Sequence, residues 1–140
     1  MAIDFPSEEW TAAYKQAIND DPEYKTAGAE WTAGPLAFVV KAEPAVGLDQ
    51  DTAFVLDVHQ GECRDAYVAD IETAQQQPFM ITGSYQQWKA VIRKELDPIK
   101  AMMQGKLKLK GNLPMIVRFV KAAQVLVENA SKIDTRFLDE

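Results

Sequence analysis

Between Leu96 and Asn112 the chain reads LDPIKAMMQGKLKLKGN, and few folds satisfy that order of signals. Asp97-Pro98 starts a helix: the Asp side chain accepts from backbone N–H groups that have no partner in a first turn, and proline fits the first helical position. Ile99, Met102 and Met103 give the helix an apolar side, and Gly105 can stop it. Lys106, Leu107, Lys108, Leu109 and Lys110 then alternate strictly, which is the period of a half-buried strand. Leu107 and Leu109 should therefore point at the helices while the three lysines point away. Gly111-Asn112 ends the strand and opens a last helix. The junction reads as one wall of an apolar chamber between helices and sheet.

Upstream, Ser7 can cap a first helix with Glu8 and Glu9 well placed in its first turn. Trp10, Ala13, Tyr14, Ala17 and Ile18 share one face of it. Asn19-Asp20-Asp21-Pro22 breaks that helix, and Glu23–Thr26 gives a short helical turn ended by Gly28. Strands are expected at Glu30–Thr32, over Leu36–Lys41, from Phe54 to His59, at Glu62–Ala69 after a Gln60-Gly61 turn, and at Phe79–Thr82. In the strand at Glu62–Ala69, simple alternation puts Cys63, Asp65 and Tyr67 on one face. Ser84 and Gln87 have capping-box spacing, and Tyr85, Trp88, Val91 and Ile92 form the apolar face of the helix they start, continued by Leu96. After Leu113-Pro114 a single final helix is expected, with Ile116, Phe119, Val120, Ala123, Leu126, Val127 and Ala130 at helical spacing. Met115, Val117 and Val125 widen its apolar arc beyond what one sheet face requires. No repeat or linker divides residues 1–140, so one domain is expected.

The net charge of −6 disfavours a nucleic-acid partner. Its distribution says more. Residues 1–80 carry 15 acidic and 4 basic side chains, whereas residues 81–140 carry 6 acidic and 11 basic ones. A solvated face with lysine protection of a sheet edge accounts for this pattern. Transient contact of Lys89, Arg93, Lys94, Lys100 and the strand lysines with an anionic membrane surface is the second, less favoured account. A single cysteine excludes an internal disulfide, the N-terminal MAIDFPSEEW has no signal-peptide character, and no apolar run reaches membrane-spanning length; a cytoplasmic location is expected.

Catalytic chemistry finds little support. His59 is the only histidine; with Asp57 on its strand and Cys63 past the turn, a Cys-His-Asp hydrolase can be drawn. Strand spacing alone does not align those groups, and a surface His beside a surface Asp is the simpler account. One His and one Cys make a poor zinc set, and the isolated glycines form no phosphate loop or dinucleotide fingerprint. Neither a metal nor a cofactor is expected. Asn129-Ala130-Ser131 matches a glycosylation sequon by chance. Methionines 102, 103 and 115 either fill core gaps or line an adaptable apolar wall.

The segment ITGSYQQWKAVIRKE followed by LDP…M…GKLKLKG closely resembles the sterol carrier protein 2 family, whose order of elements fits Phe79–Phe119 throughout. The resemblance implies an α+β fold: a five-stranded, mostly antiparallel sheet with helices packed on one face, enclosing an apolar lipid tunnel. It implies non-catalytic binding and transfer of a sterol, fatty acid, fatty acyl-CoA or phospholipid. The tunnel wall it implies here is Trp88, Ile92, Leu96, Ile99, Met102, Met103, Leu107, Leu109, Met115, Phe119, Val120 and Ala123. The alternative is a structural or dimerisation module of the same fold without lipid; a homodimer is compatible with either.

Overall fold

A computed structural model describes residues 2–140. The elements run β1 (Ile3–Phe5), α1 (Glu8–Asn19), α2 (Pro22–Ala27), β2 (Leu36–Val40), β3 (Thr52–His59), β4 (Glu62–Ala69), α3 (Ile71–Gln75), β5 (Phe79–Gly83), α4 (Tyr85–Ile92), α5 (Pro98–Met103), β6 (Lys108–Lys110), α6 (Leu113–Arg118), α7 (Val120–Ser131) and β7 (Thr135–Phe137). The expected α+β architecture is present. Five strands pair in the order β4-β3-β2-β5-β6, antiparallel except for the parallel β2–β5 neighbours. Strand β6 reaches its place at the sheet edge only after α4 and α5 have crossed the sheet.

The helix starts follow the chemistry of their caps. Ser7 accepts from the Trp10 N–H at 3.0 Å. Ser84 and Gln87 form the reciprocal capping box, and Asp97 accepts from the N–H groups of Ile99 and Lys100. Tyr85 is fixed from both sides: its hydroxyl donates to the Phe5 carbonyl and accepts from the Leu138 N–H. It thereby ties α4 to both chain ends, which pair as a parallel two-stranded sheet of β1 and β7.

Four expectations need correction. Glu30–Thr32 is not a strand; Trp31 sits in a loop, donating its indole N–H to Gly34 O and accepting on its carbonyl from the Gln60 N–H. The Lys/Leu strand is shorter than Lys106–Lys110. Lys106 and Leu107 donate their N–H groups to the Ala101 carbonyl at the end of α5, so pairing with β5 begins only at Lys108. All three lysines are exposed and Leu107 is buried, as alternation requires, while Leu109 is half-buried opposite Ile81. The final helix is two helices. Phe119 leaves helical geometry at ψ 37° and separates α6 from α7. Finally, a bulge in β4 overturns its expected alternation. Asp57 opposes Asp65 but Val58 opposes Cys63, so Arg64 is an extra residue. Cys63 therefore faces the core with Ala66 and Val68, and Asp65 and Tyr67 face the other way.

Most helices cover one face of the sheet, where Phe54, Leu56, Val58, Leu36, Val40, Phe79 and Ile81 meet the helical apolar faces. The opposite face is not wholly polar. Ala37, Val39, Ala53 and Val55 form a small second cluster beneath Ala74 of α3, a helix the sequence pattern does not announce. Asn129 is fully buried, with its amide N–H groups donating to Asp21 and to the Val125 carbonyl, so the sequon does not reach the surface.

Candidate functional site

The α1, α2, α4–α7 side of the sheet encloses a cavity of about 100 Å³. Its floor is sheet: Leu36, Phe38, Phe54, Val58 and Ile81. Its walls are Trp10 and Tyr14 of α1, Tyr24 of α2, Trp88, Val91 and Ile92 of α4, Met102 of α5, Ile116 of α6 and Leu126 and Ala130 of α7. Phe119, at the break between α6 and α7, closes one side with its ring edge-on to Trp31 at 5.0 Å.

Trp88, Trp10 and Tyr14 present carbon to this space because their polar atoms are engaged by hydrogen bonds. Trp88 donates its indole N–H to the Val39 carbonyl at 2.9 Å, and Trp10 donates to the Thr135 hydroxyl at 2.9 Å. The Tyr14 hydroxyl donates to the Leu126 carbonyl at 2.8 Å, and burial pushes its ionisation well above the ordinary tyrosine range. Among the described residues, no carboxylate, amine or guanidinium lines the cavity. Such a space rewards apolar surface and offers no partner to a polar head.

A second, polar cleft adjoins it. It lies between the Lys94–Ile99 connection, α7 and the start of α2, and has a volume of about 540 Å³. Pro98, Ala123 and Val127 belong to the walls of both spaces. The cleft carries Lys94, Lys121 and Lys132 alternating with Asp21, Glu23, Glu95, Asp97 and Glu128. Lys94 pairs with Glu128 at 2.8 Å and Lys121 with Glu23 at 3.2 Å. Lys94 holds a left-handed backbone, φ 64°, where α4 ends.

Of the twelve residues expected in a tunnel wall, Trp88, Ile92, Met102, Phe119 and Ala123 line the apolar cavity. Leu96 and Ile99 line the adjoining cleft. Leu107 is buried against Gly83 rather than facing the cavity, Leu109 sits on edge strand β6, and Met115 is half-buried on α6. Met103 and Val120 are on the outside, 66% and 42% exposed, each directly after an inward-facing residue, Met102 and Phe119. The aromatic half of the wall, Phe5, Trp10, Tyr14, Tyr24 and Trp31, was not foreseen as lining. The stripe Trp10-Tyr14-Ile18 was its only sequence signal.

The Cys-His-Asp grouping does not assemble. The Cys63 thiol is buried, donates to the Asp65 carbonyl at 3.2 Å, and has its pKa pushed up to about 11 by burial. Asp57 instead pairs with Arg64 at 3.1 Å. The basic surface is also narrower than expected. Lys89 pairs with Asp139 and Glu140, Arg93 with Glu140, and Lys94 with Glu128.

The family model described as the SCP-2 sterol transfer family matches residues 13–124. A crystal structure of a sterol carrier protein 2 is 33% identical to this chain, covers 91% of it and 97% of the other chain, and superimposes with a TM-score of 0.83. A conserved hypothetical protein of Thermus thermophilus, described as possibly a sterol carrier protein, is 32% identical with a TM-score of 0.84, covering 93% and 90% of the two chains. Sterol carrier protein 2 of Aedes aegypti, solved with palmitate, shares the fold at 16% identity and a TM-score of 0.50, covering 81% and 93%. No curated protein matches the chain.

Proposed function

The chain belongs to the SCP-2 sterol transfer family, and we propose that it is a single-domain, non-catalytic carrier of a long-chain lipid, taking the tail into the apolar cavity between sheet and helices. The almost wholly apolar wall of that cavity, with no charged side chain among the described residues, carries the reading. Each methylene moved out of water is worth about 0.8 kcal/mol. A bilayer offers nearly the same gain, so exchange between membrane and protein is close to balanced, as a carrier requires. The Aedes aegypti relative solved with palmitate makes a C16 fatty acid the first ligand to test; fatty acyl-CoA, sterol and phospholipid follow.

A long tail needs more room than about 100 Å³, since a void of about 150 Å³ holds no more than benzene. The wall must therefore give way, and its adaptable members are Met102, an unbranched thioether, and Phe119, at the break between α6 and α7. The polar head then lies in the cleft beyond Pro98, Ala123 and Val127, among the Lys94–Glu128 and Lys121–Glu23 pairs. A buried, alkaline-shifted thiol is the opposite of an activated nucleophile, which supports a carrier over a hydrolase. The cytoplasm, where an unpaired thiol persists, suits such a protein.

The test is organic extraction of the purified protein with lipid mass spectrometry, followed by titration of the delipidated protein with a fluorescent fatty acid. Saturable binding displaced by palmitate is expected. Failure of fatty acid, acyl-CoA, sterol and phospholipid alike would leave the fold as a dimerisation module.

A further inference from the structure

We propose that the outer side of α5 and of the α6–α7 junction is a docking surface for an anionic lipid bilayer. The purpose of such a surface rests on the lipid-carrying function above, but its existence is argued and tested separately. From Pro98 to Val127 the chain contains no Asp or Glu and six basic residues, in a protein whose net charge is −6. Within this stretch no carboxylate offsets the cations, so its exposed basic side chains are attracted to a negative surface.

The pairing of the cations narrows the patch. Lys121 is engaged by Glu23, and Lys110 turns to donate to the Gln75 carbonyl at 2.9 Å. Lys100, Lys106, Lys108 and Arg118 are exposed and, among the described residues, have no carboxylate partner; of these Lys108 belongs to the edge strand β6.

The same surface carries apolar side chains. Five large hydrophobic residues are exposed among those described, and three belong to this segment: Met103 at 66%, Val117 at 42% and Val120 at 42%. Lys100 and Met103 share the outer face of α5 at i, i+3, and Arg118 stands between Val117 and Val120. Basic residues with apolar ones between them suit the headgroup boundary. The cations meet lipid phosphates while the apolar groups enter the acyl edge.

This surface is also the outer side of the cavity wall. Met102, Ile116 and Phe119 line the cavity, and each is directly followed by one of the exposed residues Met103, Val117 and Val120. A bilayer held there lies one layer of side chains from the apolar space.

The experiment is co-sedimentation of the whole chain with vesicles of phosphatidylcholine, alone or mixed with phosphatidylglycerol. Binding should require phosphatidylglycerol and weaken as salt rises from 0.1 to 1 M, where the Debye length falls from about 10 to about 3 Å. Each cation near an anionic surface multiplies partitioning about fivefold, so replacing Lys100, Lys106 and Arg118 together by Gln should cost on the order of a hundredfold. Replacing Lys25, Lys41 and Arg64 by Gln changes net charge equally and should cost far less. Met103→Ser, Val117→Ser and Val120→Ser combined should also weaken vesicle binding. Equal losses in the two charge triples, or no loss in the first, overturn the proposal. So does dissociation of a dimer by the serine variant with vesicle binding intact, because the patch then joins two copies of the chain. Fluorescent fatty acid binding without vesicles should stay normal in the first triple. Its absence even in the unaltered protein would fail the carrier reading while leaving the vesicle result to decide docking.

Discussion

The Leu107 side chain occupies the notch that Gly83 leaves at the end of β5. A Cβ built on Gly83 would stand 2.5 Å from Leu107 Cδ2 and 3.2 Å from the indole nitrogen of Trp88. Two stretches that look independent in sequence, ITGS and GKLKLKG, are thus halves of one contact. A side chain at 83 would force the Leu107 side chain to shift from its place beside the start of β6.

Gly83→Ala should therefore destabilise the protein by about 1–3 kcal/mol through overpacking. Leu107→Ala alone should cost about 2–5 kcal/mol. Combined, they should cost clearly less than their sum, because the smaller residue at 107 makes room for the Cβ at 83. Urea unfolding of the four proteins measures the coupling; strict additivity would mean that the notch relaxes without Leu107.

Ala123 is a place to block the cavity from its cleft side, since it borders both spaces with a small side chain. Ala123→Phe should lower fluorescent fatty acid affinity at least about tenfold, at a stability cost of about 1–3 kcal/mol. Met103→Asp, on the outside, should leave solution binding unchanged, whereas Phe119→Asp should abolish it by placing a carboxylate in the wall. Near-ultraviolet circular dichroism checks that each variant is folded.

Cys63 should be slow to modify. Burial moves its thiol from about 9 to about 11, so near pH 8 its thiolate is about a hundredfold scarcer than in the unfolded chain. Because the folded pKa is raised, the stability linked to this group is complete below about pH 9. It is lost as pH rises toward about 11. Cys63→Ala should flatten that part of the alkaline stability profile. Reaction with a thiol-specific disulfide reagent, followed with and without urea, checks the first point.

Lys94 holds φ 64° without being glycine. Lys94→Ala removes the Glu128 pair and keeps the left-handed backbone strain; Lys94→Gly removes both. The glycine variant should be the more stable of the two by about 1 kcal/mol. Glu128→Gln should change stability by less than about 1 kcal/mol, as exposed ion pairs do. Thermal unfolding of the three variants decides.

The parts of the fold visible in the sequence are those governed by local chemistry. Asp97-Pro98, the Ser84/Gln87 box and the Lys/Leu alternation each state their structure within a few residues. What stayed hidden depends on partners far away or on signals that proteins do not write. The break at Phe119 has neither glycine nor proline to announce it. The extra residue Arg64 in β4 is invisible until β3 is laid beside it, and so Cys63 was given the wrong neighbours. Trp31 has the composition of a strand residue, yet its carbonyl and indole serve a loop. The three-residue strands β1 and β7 mean nothing until each finds the other. Of the cavity, the C-terminal wall was legible from the apolar positions of α4–α7. The aromatic N-terminal wall was not, because an amphipathic stripe says that a helix is buried without saying what it is buried against. Met103 and Val120 were placed inward for the complementary reason: side chains on a wall one layer thick alternate between its two sides.

The pairing of β1 with β7 sets an order on how the molecule is made. Ile3 pairs with Thr135 and Phe5 with Phe137, so during synthesis β1 must wait until β7 has been made before it has a partner. Until then Phe5 and Trp10 lack the ring of Phe137 and the hydroxyl of Thr135 that hold them. Closing a loop of this length carries an entropic cost that grows only slowly with length, so the wait is imposed by synthesis more than by thermodynamics. A nascent chain stalled before residue 135 should expose β1 to proteases and chaperones, and emergence of β7 should protect it.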